Sequence, residues 1–237
     1  MFYFRINKLK ILDNRTSGFL FFKKDMANVK IISFITTDNM DLPDLGEWVT
    51  EKDPAKKRIL LTAAVTNLLA ARILTPIMHV KDQQTIFFGD TGYVLFESET
   101  IPKDFNWCFV AVKSNLDDRE LGQLLTGVVA DPEFDSFAGN LATFVLGAAN
   151  PVFCAGVAVA KFATGVISKI LANHGDDQVG LLYMSLDREE HYKHGIRNSD
   201  DVPDLTGNLL IDYSIFAFEP PQSHRTRKVE TERDRGR

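Results

Sequence analysis

The sequence predicts an α+β fold: an antiparallel β-sandwich or sheet that carries an inserted α-helical hairpin and further helices. β-rich runs stand on either side of a weakly charged, Ala/Gly-rich stretch at residues 131–175. The pair Asn150-Pro151 divides this stretch into two helical arms, because proline interrupts a helix. Strands and helices therefore come in blocks, unlike the regular alternation of a doubly wound parallel sheet. We predict one domain over residues 1–219, with the helical insertion at about 116–174.

The composition is that of a soluble globular protein, with 45% hydrophobic and 25% charged residues. The net charge of −5 argues against a nucleic-acid partner, since such proteins normally carry a basic excess. Arg5, Lys8 and Lys10 interrupt the apolar core that a signal peptide needs. We therefore predict a cytoplasmic location, with leaderless export as the alternative. Cys108 and Cys154 lie in apolar surroundings, which favours two buried reduced thiols.

Two strands are predicted before residue 40. Residues 2–6 alternate between apolar and polar side chains, which is the periodicity of a strand. The alternation changes phase before Leu9 and Ile11, so we predict a β-bulge near Lys8. A second β-rich run covers residues 27–37.

A helix is predicted over residues 54–74. Asp53-Pro54 combines an N-cap residue with proline at the first helical position, and apolar residues then recur at helical spacing. Lys56, Lys57 and Arg58 lie in the first turn, where the helix dipole disfavours cations. They belong either to a solvated face or to a contact with an acidic partner.

The middle of the chain predicts more strands and a short helix. Residues 85–88 and 93–97 flank Gly89-Asp90-Thr91-Gly92, and glycines at such a position predict a β-hairpin. Residues 107–112 are apolar almost throughout, which indicates a central strand. A helix is expected from about Asp117 to Val129.

The last third contains the helical hairpin and the final strands. Asp131-Pro132 repeats the helix-start signature, and Asn173-His174-Gly175 is typical of a helix end. Residues 178–186 and 209–219 are predicted to be strands. The tail at residues 220–237 is charged and almost free of hydrophobic side chains, so we predict that it is disordered.

The common catalytic signatures are missing from the sequence, including a P-loop, a G-x-S-x-G elbow and an H-E-x-x-H pair. Asp90-Thr91-Gly92 matches the tripeptide of aspartic proteases. Those enzymes need two such carboxylates that share a proton, and the sequence has no second copy. A turn is the better interpretation of this tripeptide.

Two similar acidic loops are the first candidate site. One reads Asp41-Leu-Pro-Asp-Leu-Gly46, and the other reads Asp201-Val-Pro-Asp-Leu-Thr-Gly207. Carboxylates from both loops could converge on calcium, which takes six to eight oxygen ligands. The alternative is that Pro-Asp is turn chemistry and that the aspartates cap backbone amides. The candidate metal ligands are Asp38, Asp41, Asp44, Asp200, Asp201 and Asp204.

A second candidate metal site is the segment around Glu190, His191 and His194. Two histidines three residues apart could share one helix face and bind a metal, with Glu190 as a third ligand. Neighbouring Arg188 and Lys193 would repel a cation. An exposed polar loop is the competing interpretation.

The β-rich runs and their acidic loops loosely resemble a C2-type β-sandwich, in which aspartate loops bind calcium and then acidic lipid. The resemblance rests on the loops at residues 38–44 and 200–204 and on the flanking strands. It implies calcium as a cofactor. The helical blocks at residues 54–75 and 116–172 depart from the C2 pattern.

We therefore predict a non-enzymatic interaction protein: a β-rich scaffold whose helical hairpin binds a protein partner or a membrane surface, with calcium as an optional ligand. One alternative is an unfamiliar metal-dependent hydrolase that uses the loop of His191 and His194. Another is a membrane-inserting or pore-forming protein, because residues 151–171 are about long enough to span a bilayer. Lys161 and Lys169 oppose this, since each costs about 2.5–3.5 kcal/mol at the bilayer centre.

Overall fold

The computed structural model describes residues 1–16 and 26–219. These residues form two antiparallel sheets that pack face to face, and helices cover the other face of the second sheet. The predicted α+β class, with an antiparallel β-sandwich and inserted helices, is confirmed. The tail that we predicted to be disordered lies outside the described residues.

The strands are β1 (Phe2–Ile11), β2 (Ala27–Thr37), β3 (Ile73–Val80), β4 (Gln84–Phe87), β5 (Tyr93–Ser98), β6 (Asp104–Lys113), β7 (Asp177–Asp187), β8 (Ile196–Pro203) and β9 (Leu209–Ala217). The helices are α1 (Pro43–Thr50), α2 (Pro54–Ala70), α3 (Asp118–Leu125), α4 (Glu133–Val145) and α5 (Pro151–Asn173). A 3₁₀ turn follows α3, and one π-helical turn follows β7. The first sheet has the order β4-β1-β9-β8 with β5 also beside β1, and the second has the order β3-β2-β6-β7.

The β-bulge predicted near Lys8 is confirmed. The register of β1 against β9 shifts between Ile6 and Lys8, which leaves Asn7 as the extra residue. The side-chain amide of Asn7 donates to Ser214 Oγ at 2.6 Å. Because the bulge resets the alternation, apolar side chains on both sides of it face the core. They are Phe2, Phe4, Ile6, Leu9 and Ile11.

The prediction of a β-hairpin around Gly89–Gly92 is wrong. β9 occupies one edge of β1 along its whole length, and β4 and β5 both pair antiparallel with the other edge. They are two segments of one interrupted strand, and the glycine-rich turn is the kink between them. Turn chemistry alone does not distinguish a kink from a reversal, since both need positive φ at glycine.

The second sheet is apolar on both faces, as the sequence of its central strand predicts. Phe105, Trp107 and Phe109 of β6 face the first sheet, whereas Cys108 and Val110 face the helices. All five side chains are fully buried. The sheet therefore needs a layer on each side.

The predicted helical hairpin is confirmed as α4 and α5. Asn150 Oδ1 accepts a hydrogen bond from the Phe153 N–H at 3.1 Å, and Pro151 occupies the first turn of α5. The rings of Phe137 and Phe162 stack at 4.3 Å between the two arms. α5 lies on the second sheet, so the hairpin completes the core of the protein.

Three further elements differ from the predictions. The helix predicted over residues 54–74 ends at Ala70 and is followed by strand β3, and part of the predicted loop at residues 38–46 belongs to α1. Residues 196–203, which include part of the second acidic loop, form strand β8. Both missed strands are edge strands. β8 is polar at most positions, and β3 contains Pro76, which argues against a strand in a sequence pattern.

Two of the three basic residues at the start of α2 contact neighbouring helices. Lys57 Nζ lies 4.7 Å from the centre of the Trp48 ring of α1. Arg58 pairs with Asp135 of α4 at 2.8 Å. These contacts explain why lysine and arginine stand at the start of α2, where the helix dipole disfavours cations.

The turn between β4 and β5 allows a matched comparison of Gly92→Ala with Gly89→Ala. Both glycines have positive φ, at +68° and +76°. A Cβ at residue 92 would lie 2.8 Å from Asn7 Oδ1 and 2.9 Å from the Ile6 carbonyl oxygen, whereas a Cβ at residue 89 meets nothing within 4 Å. Backbone strain is common to both variants, so the overlap of the added Cβ decides the difference. We expect Gly92→Ala to lower the free energy of unfolding in urea by about 1–3 kcal/mol more than Gly89→Ala. Equal losses would contradict this packing.

Candidate ligand pocket

A cavity of about 350 Å³ opens between the end of β2 and helices α1 and α2. β3 and β5 each contribute one further wall residue. Most of its lining is apolar, with Phe34, Leu42, Leu45, Leu68, Ile73 and Phe96 among the wall residues. Its polar lining consists of Asp41, Asp44 and Asn67.

The hairpin helps to shape this cavity through Leu42. α5 passes so close to Leu42 that a Cβ at Gly156 would lie 3.0 Å from its Cδ1 atom. Leu42 precedes Pro43, which occupies the first position of α1 and has no N–H to leave unpaired. The wall residue is thus held by a tight helix contact on one side and by the start of α1 on the other.

The polar groups of the cavity are at its mouth. Asn67 Nδ2 donates to Asp44 Oδ2 at 2.7 Å, which orients that carboxylate. Asp44 lies in the first turn of α1, where the helix dipole favours a negative charge. Asp41 is exposed at the same mouth. Among the described residues that line the cavity there is no lysine, arginine or histidine.

The two acidic loops do not come together. The Asp38 carboxylate accepts backbone N–H groups from Lys103 and Asp104, beside the end of β7 at Asp187. The Asp204 carboxylate instead accepts the Leu181 N–H at 2.7 Å. Six residues of extended strand separate those two positions on β7, or about 20 Å. Asp38 and Asp204 therefore cannot share one calcium ion.

The other residues of the two loops have separate surroundings. Asp41 and Asp44 lie at the mouth of the pocket, which the sequence did not predict. Asp200 is exposed on β8, and Asp201 pairs with Lys8 at 3.3 Å. The Asp204 carboxylate also accepts the N–H groups of Asn208 and Leu209. Asp204 therefore caps backbone amides, as the alternative interpretation of these loops proposed.

The predicted histidine site lies at the π-helical turn after β7. His191 Nδ1 accepts the Asp187 N–H at 3.0 Å, and the Glu190 N–H donates to Asp187 Oδ1 at 3.1 Å. His194 is exposed on the following turn. Within residues 1–16 and 26–219, no three side chains of histidine, cysteine, aspartate or glutamate are grouped to hold a metal ion.

An acidic row at one end of the second sheet was missed by the sequence analysis. Asp38 directly follows β2, Asp104 begins β6 and Asp187 ends β7, and Asp104 and Asp187 are directly paired. Burial raises the pKa of the Asp104 carboxyl, and its two acidic neighbours raise it further, against the opposing effect of Lys103. Each aspartate lies at the end of a strand, and this position is the feature of the sequence that could have indicated the row. Only the strand order reveals that they are neighbours.

The chain matches no protein-family model, no curated protein and no solved structure. The resemblance to C2-type sandwiches therefore stays a prediction.

The acidic row predicts a pH-dependent effect of Asp104→Asn. Because the folded state raises the pKa of this carboxyl, folding is favoured when Asp104 is protonated, and this contribution is lost as the pH rises. We expect the variant to raise the free energy of unfolding at pH 7 by about 0.2–1 kcal/mol, since it removes a partly buried charge that also faces like charges on neighbouring strands. The gain should disappear well below the ordinary pKa of 3.8.

Urea titrations at pH 7 and at a pH well below 3.8 measure this effect. Asp90→Asn, in the exposed turn before β5, is the matched control. A gain for Asp104→Asn that is the same at acid and neutral pH would contradict the electrostatic account.

Proposed function

We propose that this chain is a non-enzymatic interaction protein that holds an apolar group of its ligand in the pocket between α1 and α2. The single observation that carries the proposal is a cavity of about 350 Å³ with apolar walls and polar groups at its mouth. Small-ligand sites have this character, with volumes of about 300–1,000 Å³ and few polar groups. The cavity is assembled from several elements of the fold.

The chemistry of the lining favours binding over catalysis. The described residues around the cavity include no serine, threonine, cysteine, histidine or lysine, so a hydroxyl, thiol or amine nucleophile with a histidine base is missing there. Cys108 is buried beneath α5, and burial raises the pKa of its thiol to about 11. Such a thiol is a poor nucleophile at neutral pH.

Filling the pocket tests this function. Ala71 is an exposed residue that lines the cavity, and neighbouring Ala70 is exposed without lining it. We expect Ala71→Phe to weaken binding of the neutral apolar dye Nile red at least about tenfold, because one aromatic ring occupies much of a small pocket. Ala70→Phe is the matched control and should bind as the wild type does.

Fluorescence titration gives both affinities, and urea unfolding confirms that both variants fold. If Ala71→Phe binds the dye as tightly as Ala70→Phe, the pocket is not the binding site. If the wild-type protein does not bind the dye, the proposed function is wrong.

A second candidate function is contact of the hairpin tip with a membrane surface. Phe144 and Leu146 at the end of α4 are 64% and 83% exposed, although both are large and apolar. Residues 136–160, which include this tip, contain no charged side chain. Among the described helices, α5 is long and apolar enough to cross a bilayer, but half of its most apolar stretch is buried. A tip that touches the interface fits this burial better than a spanning helix.

Vesicle binding tests the second candidate. We expect Leu146→Asp combined with Phe144→Asp to abolish co-sedimentation with neutral phosphatidylcholine vesicles, because charge at the interface opposes insertion. The matched control is Leu205→Asp, at an apolar residue that is 62% exposed in the turn between β8 and β9. Equal loss in the control, or no binding by the wild type, would exclude the tip as a membrane contact.

A further inference from the structure

We infer that the occupant of the pocket is an amphiphilic amine, with its apolar body inside the cavity and its ammonium group at the mouth beside Asp44 and Asp41. This inference rests on the proposed function, since it names the chemical class of the ligand that the same pocket holds. It is carried by two observations: the order of apolar and polar groups along the cavity, and a negative charge at the mouth that the lining does not neutralise.

The order of groups determines how the ligand enters. Phe34, Leu45 and Leu68 are buried wall residues, whereas Asp41 and Asn67 are exposed at the mouth. The apolar end of a ligand therefore enters first. Its polar end stays in contact with water, so an ammonium group there keeps most of its hydration and avoids the cost of burial.

The charge at the mouth selects the sign of the polar end. Asp44 and Asp41 contribute two carboxylates, and the partner of Asp44 within the lining is the neutral amide of Asn67. Basic residues of α2 and its C-terminal end contact other groups. Lys57 lies over the Trp48 ring, and Arg58 pairs with Asp135. Arg72, which follows the lining residue Ala71, donates to the Leu69 carbonyl oxygen at 2.9 Å. The mouth thus attracts a cation and repels a carboxylate.

Asp44 is the residue best placed to make this contact. Its Oδ2 atom is fixed by Asn67, which leaves the other carboxylate oxygen to accept a hydrogen bond from an ammonium group. Asp41 adds a second, more exposed charge. Hydrogen bonds between charged groups are stronger than neutral ones, so the amine gains an interaction that an alcohol of the same length does not.

Three eight-carbon probes with different head groups test the inference by calorimetry at pH 7: octylammonium, octanol and octanoate. We expect octylammonium to bind about threefold to tenfold more tightly than octanol, and octanoate to bind more weakly than octanol by a similar factor. High salt should reduce these differences, because exposed charges are screened.

The double variant Asp41→Asn/Asp44→Asn should remove the preference for octylammonium and leave octanol binding unchanged. Glu47→Gln is the matched control, since Glu47 is an exposed acid of α1 that does not line the cavity. It should keep the wild-type order of affinities.

The outcomes separate the two levels of the proposal. If all three probes bind equally, or if octanoate binds most tightly, the amine inference is wrong while the pocket remains a binding site. If the double variant weakens the binding of octanol as much as that of octylammonium, the two carboxylates maintain the shape of the pocket and do not recognise the ammonium group. The amine inference then also fails. If none of the probes binds, the proposed function itself fails.

Discussion

The central strand β6 has bulky apolar side chains on both of its faces, and much of the fold follows from the need to cover them. Phe105 and Trp107 require a second sheet on one side, and Cys108 and Val110 require helices on the other. Burial of apolar surface is the main favourable term in folding. A single layer would leave half of this strand in water.

The helical hairpin meets that requirement with small residues. Ala160 and Ala163 of α5 are fully buried, and Gly156 allows close approach to the residues before α1. Small side chains let the helix backbone come near the sheet, so its apolar face packs closely against the sheet. The outer end of the hairpin extends beyond this packing, and the exposed Phe144 and Leu146 belong to that uncovered end.

The pocket forms where this covering layer is incomplete. α1 and α2 begin after β2 ends, and the space between them is closed by single residues of β3 and β5. The chain places carboxylates at the opening and apolar groups behind them. The gap between the end of β2 and helices α1 and α2 therefore produces both the cavity and its negatively charged mouth.

Features that depend on neighbouring residues could be predicted from the sequence alone. The helix start at Asp53-Pro54, the break at Asn150-Pro151 and the bulge near Lys8 all result from local capping, proline geometry and side-chain alternation. The central position of β6 could also be predicted, because a strand covered on both sides is apolar over most of its length, as residues 107–112 are.

Which distant segments meet could not be predicted in this way, because it depends on the fold of the whole chain. Asp41 and Asp44 could be identified as acidic residues, but their place at the mouth of an apolar cavity depends on α2 and on strands far along the chain. The same holds for Asp38, whose acidic neighbours come from β6 and β7 and not from the similar loop at residues 200–204. Local propensity acts over a few residues, whereas strand order and helix packing are set by the burial of apolar faces over the whole domain.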